Sequence, residues 1–210
     1  MTSSTLSPSL HRFAARSDFE TTAYGYEVIA SPANVSECVQ VAAWIDCWCP
    51  DAAQFILFEA FPGISLRNCS PLLAAIDESH LGPKLRLVLP KSVVCEPELF
   101  QALNGRGVGL LAADPDVADL VQLTQSGIVG IRVGASHFAD ANASVKARVA
   151  FQLRDLNNDA HRLGLRAVAS QIPEATDLRH LFVAGFDYVS VLGQGVTPRL
   201  DRALLHGRVA

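Results

Sequence analysis

The sequence predicts an α/β protein, a TIM-like (β/α) barrel, on three observations. Eight short runs rich in Val, Ile, Leu and Phe recur along the chain, each bounded by Gly, Pro or polar residues. From the third run onward they alternate with amphipathic stretches, the mark of successive βα units on a mostly parallel sheet. A chain of 210 residues suits a compact barrel, which usually takes about 250 residues and reaches down to about 200. An open doubly wound sheet is the alternative. Against it, no Gly-x-Gly-x-x-Gly follows a first strand and no Gly-x-x-x-x-Gly-Lys-Ser/Thr occurs.

The elements follow in order. Residues 1–8 are Ser/Thr-rich and read as a loose tail, leaving 9–210 as one domain. SLHRFAA and ETTAYGYEVIA are separated by a short polar gap and read as a hairpin. One helix between Ala30 and Gln54 must then carry the chain to QFILFEAF, with KLRLVL and GVGLLAA as the next strands. In DPDVADLVQLTQSG, Val117, Leu120, Val121 and Leu123 form the expected inward face, ending before Gly127. GIVGIRV precedes the best helix, ANASVKARVAFQLRDLNNDAHRLG, whose Val145, Val149, Leu153, Leu156, Ala160 and Leu163 recur at steps of three and four. Asp140 or Asn142 can cap its start and Gly164 can stop it. LRAVA, then EATDLRHLFVAG with Leu178, Leu181 and Phe182 inward, then FDYVSVL complete the series.

Composition excludes several classes. Half the residues are hydrophobic and 18% are charged, enough for a large core and too apolar for disorder. Net charge is −4 with Lys and Arg scattered, so no basic stripe marks a nucleic-acid footprint. Apolar runs are interrupted well before the roughly 18 residues of a membrane span, and the first residues lack a secretory apolar region. A cytoplasmic protein is expected. The five cysteines have no framework of spacings, and Cys47 and Cys49 form Cys-x-Cys rather than Cys-x-x-Cys, so reduced core or surface-helix thiols are the reading. The six histidines are dispersed, which speaks against a histidine metal site.

In such a barrel chemistry gathers where each strand stops. The runs place there Glu27, Glu59, Val88, Ala113 with Asp114, Arg132 and Ser170. Three acids among apolar or neutral positions allow two readings. A Mg²⁺-like site would use their oxygens, as hard cations prefer. The favoured reading instead pairs Glu27 with Arg132 across the barrel mouth and leaves Glu59 and Asp114 hydrated, because unpaired buried charge is costly.

These residues resemble the EAL domains, named for a Glu-Ala-Leu motif, which hydrolyse the bacterial messenger cyclic diguanylate. GYEVIA resembles the segment with that triplet, LFEAFPGISL the strand with a metal-binding Asn, and KLRLVLPKSVV the strand with Glu-x-Thr-Glu. GLLAADPD falls at the Asp-Asp pair, GIVGIRVG at Lys-x-Asp, and LRAVASQIPEATDLRHLFVAGFDYV at Ala-Glu-Gly-Val-Glu-Thr with its Gly-x-Asp helix end. The resemblance implies an EAL-type barrel with an antiparallel first strand.

Its departures decide the functional expectation. Glu27 keeps the first acid, but Ser31 stands where the family carries a nucleotide-holding Arg, and Glu59 replaces the Asn ligand. Val88 replaces a ligand Glu, Lys91 reverses the second acid's charge, and Ala113 replaces the first Asp of the pair, leaving Asp114. Arg132 replaces the Lys that assists the attacking water, Gly134 an Asp, and Ser170 and Pro173 the two Glu of the loop. The implied protein therefore has no catalytic or cofactor-binding residues, no cofactor and no bound metal, with Glu27, Glu59 and Asp114 as vestigial ligand positions. It is expected to regulate bacterial signalling by binding an unidentified protein partner, with a homodimer left open. Candidate surfaces are the helix with Trp44 and Trp48 and the segment LDRALLHGRVA with Leu200, Leu204 and Leu205. A non-hydrolysing cyclic diguanylate receptor, with Arg132 or Arg67 on a phosphate, is the alternative, disfavoured by Ser31 and by the short connection between Ala30 and Gln54. A divergent metal-dependent phosphodiesterase on the three acids ranks last.

Overall fold

The computed structural model describes residues 8–15, 25–48, 55–90, 96–134, 143–173 and 178–196. Eight strands close into a barrel in chain order. They are β1 (Ser9–Ala15), β2 (Gly25–Ile29), β3 (Phe55–Glu59), β4 (Leu85–Leu89), β5 (Gly109–Ala113), β6 (Gly130–Val133), β7 (Arg166–Ile172) and β8 (Tyr188–Val196). β1 runs antiparallel to β2, with His11 opposite Glu27, and antiparallel to β8 on its other side. The pairs from β2–β3 to β7–β8 are parallel.

The strand sequences read as nearly unbroken apolar runs because both faces are covered. Alternate residues turn inward. Phe55, Leu57, Val88, Leu111, Ala113 and Val168 form an inner cluster with Tyr188 against it. Their neighbours Ile56, Phe58, Leu87, Leu110, Ile131 and Ala167 face out into a second, larger core beneath the helices. Those helices are α1 (Val35–Trp48), α2 (Ser70–Ser79), α3 (Pro97–Asn104), α4 (Leu120–Gln125), α5 (Ala143–Arg162) and α6 (Leu178–Val183). α1 spans the connection between β2 and β3, starting where the Asn34 side chain accepts the Glu37 N–H at 3.0 Å. Trp44 is 8% exposed and belongs to this core, so it is no partner surface; the side chain of Trp48 and residues 197–210 lie outside the described part.

On α5, Leu153, Leu156 and Ala160 are buried, as the periodicity requires. Gly164 follows with φ +78°, the left-handed turn that glycine adopts freely. Asn157 shares the buried face and donates to the Ala184 carbonyl at 2.9 Å, tying α5 to the end of α6. Asp187 pins the next strand: it accepts from the Ala167 N–H at 2.8 Å and lies 3.0 Å from His161 Nε2.

The expected face of DPDVADLVQLTQSG needs correction. Leu120 and Leu123 are buried, but Val117 and Val121 are 50% and 56% exposed. The segment opens as a 3₁₀ turn over Val117–Asp119, with Asp116 N–H donating to the Asp119 carboxylate at 3.2 Å. Three residues per turn there and 3.6 in α4 shift the phase between the two, turning both valines outward. No helix among the described residues is long and apolar enough to cross a membrane.

Candidate functional site

Parallel strands β2 to β7 end at one rim, and the side chains singled out in the sequence are carried there. Arg132, one residue before the last paired position of β6, is 7% exposed and extends between its neighbours in space. One Nη donates to Glu59 at the end of β3, and the other reaches Asp114 Oδ2, after β5, at 3.4 Å. Asp114 is held in turn by the Gly134 N–H, 2.7 Å from its Oδ1, and by a backbone bond to the neighbouring strand in which its own N–H donates to the Arg132 carbonyl at 2.8 Å. Its φ of +44° is a left-handed conformation that Asp tolerates better than most residues.

Gly134 belongs to the same arrangement. A Cβ at this position would lie 2.5 Å from Arg132 Nη1. The glycine and the arginine are therefore complementary: the absent side chain leaves the room that the guanidinium occupies.

Glu27 has a different environment. It is 4% exposed, and Ser190 Oγ of β8 donates to its carboxylate while accepting the Gln171 N–H at 3.0 Å. Burial pushes the Glu27 pKa up; the hydroxyls of Ser190 and Ser170 and then the charges of Arg132 and His11 oppose that shift. Ser170 Oγ lies fully buried without completing a hydrogen bond of standard geometry. Gln171, at φ +57°, sits in the irregular stretch between Ala169 and Ile172 where β7 loses register with β8. That bulge turns the Gln171 N–H onto Ser190.

The expected pairing thus needs correction. Arg132 pairs with Glu59 and Asp114 rather than with Glu27, and these two acids are ion-paired rather than simply hydrated. The reason is position along the strands: β5 adjoins β6 directly, with Ala113 beside Arg132, and Glu59 stands two residues nearer the rim than Leu57, the residue paired with Glu27. Sequence reasoning missed Ser190 and His11. His11 is 7% exposed and its Nδ1 donates to the Val191 carbonyl at 3.0 Å. The available signal was a polar residue inside each apolar run, SLHRFAA and FDYVSVL.

The remaining positions are apolar, small or exposed. Val88 and Ala113 are buried in the inner cluster; Pro173 is half-buried, and Ser31 and Arg67 are exposed. Lys91 lies outside the described residues. Among the described residues no three His, Cys, Asp or Glu side chains converge as a metal site. The residues present do not fit a divalent cation: a guanidinium stands between Glu59 and Asp114, and Val88 offers no donor atom.

The barrel superposes on solved structures across most of its length. The Klebsiella pneumoniae BlrP1 complex with calcium and cyclic diguanylate gives a TM-score of 0.69 at 12% identity, covering 89% of this chain and 54% of BlrP1. The chain therefore spans about half of that protein. The PaMucR phosphodiesterase complex with the same nucleotide gives 0.68 at 13% identity, covering 92% of each chain. The FimX EAL domain of Xanthomonas citri, also a complex with the nucleotide, gives 0.67 at 11% identity over 89% of this chain and 85% of that one. This chain has the fold of an EAL domain. No family sequence model matches it, and no curated protein matches it in sequence. The EAL-type fold is thus retained at identities where the residues of the rim must be judged one by one.

Proposed function

We propose that this EAL-type barrel is a catalytically inactive regulatory protein of bacterial signalling that acts by contacting another protein. The observation that carries the reading is the Arg132 guanidinium, ion-paired with Glu59 and Asp114 at the rim. Metal-assisted hydrolysis of a phosphodiester needs carboxylates free to hold cations that activate water and neutralise developing charge. Here two acids already have a cation, one that is tethered to the chain and cannot leave. Glu27 accepts from a serine hydroxyl, and the end of β7 offers Ser170, with Pro173 just after it, in place of acids. Glu27, Glu59 and Asp114 are read as vestigial ligand positions. The exposed apolar side chains Val117, Val121 and Val183 on the helical layer supply contact area for a partner.

A second reading has its own support: the three solved barrels named above are complexes with cyclic diguanylate. Under it the chain is a receptor that binds this nucleotide without cleaving it, with exposed Arg67 on a phosphate. Isothermal titration with cyclic diguanylate, with and without Mg²⁺, followed by chromatography of the nucleotide, separates the possibilities. Absence of heat and of product supports the protein-binding regulator. Heat without product supports the receptor. A linear dinucleotide product overturns both.

A further inference from the structure

The opposite end of the barrel contains a cavity of about 500 Å³. Its lining comes from strand starts: Phe55, Tyr188 and Arg86, with Leu57, Leu111 and Val168 one layer deeper. A (β/α) barrel is normally filled by layers of inward side chains. Here the lowest layer is incomplete. Gly25, Gly109 and Gly130 stand two residues before Glu27, Leu111 and Arg132, on the inward side of their strands, and bring no side chain to it. The Phe55 ring covers Gly25, where a Cβ would come within 2.6 Å of it, and the Arg86 chain lies across Gly109, where a Cβ would be 2.5 Å from its Cδ.

Arg86 gives the cavity its polarity. Its Nη1 donates to the carbonyls of Pro83 and Leu85 at 3.0 and 2.8 Å, and no carboxylate among the described residues pairs with it. Burial lowers its pKa, with the nearby phenol of Tyr188 acting the other way. A partly desolvated guanidinium without an acid gains more from an incoming anion than one in water. Arg166, by contrast, is drawn toward Asp187 at 3.3 Å and is largely exposed. Phe55 and Tyr188 meet edge to face at 4.9 Å between centroids and form an aromatic wall beside the cation.

We propose that this cavity binds a small organic anion, its apolar or aromatic body against Phe55 and Tyr188 and its carboxylate on the Arg86 guanidinium. The volume falls within the range of small-molecule sites, and one placed charge among apolar walls is their usual chemistry. The site is independent of the rim, which lies at the other end of the strands.

The test uses naphthoate as the anionic probe and naphthamide as its neutral counterpart, followed by backbone amide shifts of the whole chain. Naphthoate is expected to bind saturably, shifting Gly109 and Gly130, and R86M is expected to weaken it roughly tenfold while leaving the weaker naphthamide unchanged. Lack of saturation at millimolar probe, equal affinity in R86M, or shifts confined to Gly134 and Ser170 overturns the proposal. Should R86M fail to fold, the comparison of naphthoate with naphthamide on the unaltered protein decides: equal binding of the two rejects the Arg86 contact.

Discussion

At one end of the barrel Arg132 is 7% exposed and lies between the carboxylates of Glu59 and Asp114. At the other, Arg86 donates to two backbone carbonyls beside a cavity of about 500 Å³. Both arginines occupy inward positions, in strands two apart in the sheet order. The difference lies in what adjoins them. β3 ends in Glu59 and β5 is followed by Asp114 at the rim, whereas the same two strands begin with Phe55 and Gly109 at the base. A closed barrel thus lets the residue at each strand terminus set the chemistry of its end without altering the shared wall.

Packing should register that asymmetry most strongly. Leu87 faces the shell between strands and helices and is fully buried, so Leu87→Ala is expected to cost about 4 kcal/mol. Leu111 faces inward and already borders the cavity, which leaves it fewer contacts to lose. Leu111→Ala is expected to cost about 2 kcal/mol. Urea unfolding of the two variants checks the ordering; equal losses would show that the base of the barrel is as well packed as its outer shell.

The next largest effect separates the arginines themselves. R132M leaves Glu59 and Asp114 facing each other without their cation and is expected to destabilise by about 2 kcal/mol, below the cost of breaking a fully buried pair because both acids are part-exposed. R86M removes no ion pair and is expected to change stability by less than about 1 kcal/mol. If the two losses prove equal by denaturant titration, the distinction between a paired and an unpaired end fails.

Much of this was legible in the sequence, and the rest was not for definite reasons. The strands were visible because both their faces are buried, and Glu59, Asp114 and Arg132 were placed at strand ends by where the apolar runs stop, whereas Glu27 stands at the middle of β2. Their pairing was not visible. Arg132 meets an acid 73 positions away and another 18 away, and the choice among three acids depends on barrel stagger and side-chain reach. Ser190 was missed because a small polar residue in an apolar strand has no pattern that names its partner. Val117 and Val121 were misplaced because a change of helical pitch leaves the spacing of apolar letters intact. The cavity left a fainter signal, glycines two residues before inward positions, which becomes meaningful once the register is known.

The rim also contrasts two ways of holding an acid. Glu27 relies mainly on a hydroxyl, and burial raises its pKa above the ordinary 4.5. The folded state then binds its proton more tightly than the unfolded state, so this group's contribution to stability falls as pH rises from about 4.5 through the folded value, and is constant above it. E27Q keeps an acceptor for Ser190 and removes the charge. It is expected to be more stable than the parent at pH 8 and to lose that advantage near pH 4, as thermal unfolding across pH would record. An advantage that persists at pH 4 would locate the effect in packing rather than ionisation.

The smallest expected effect tests whether Arg132 and Gly134 act as a unit. In G134A the new methyl meets the far end of a flexible side chain, at 2.5 Å from Arg132 Nη1, so the guanidinium can yield by lengthening its contact with Asp114. The expected cost is about 1 kcal/mol or less. In the R132M background that end group is gone, and the same alanine should be nearly neutral, giving a coupling close to the whole single-variant effect in a double-mutant cycle. Additive losses would mean that the methyl strains the backbone at Gly134 instead. The cycle therefore asks whether the glycine is there for the arginine, since a rim that accepts a guanidinium at 132 has to leave room for it at 134.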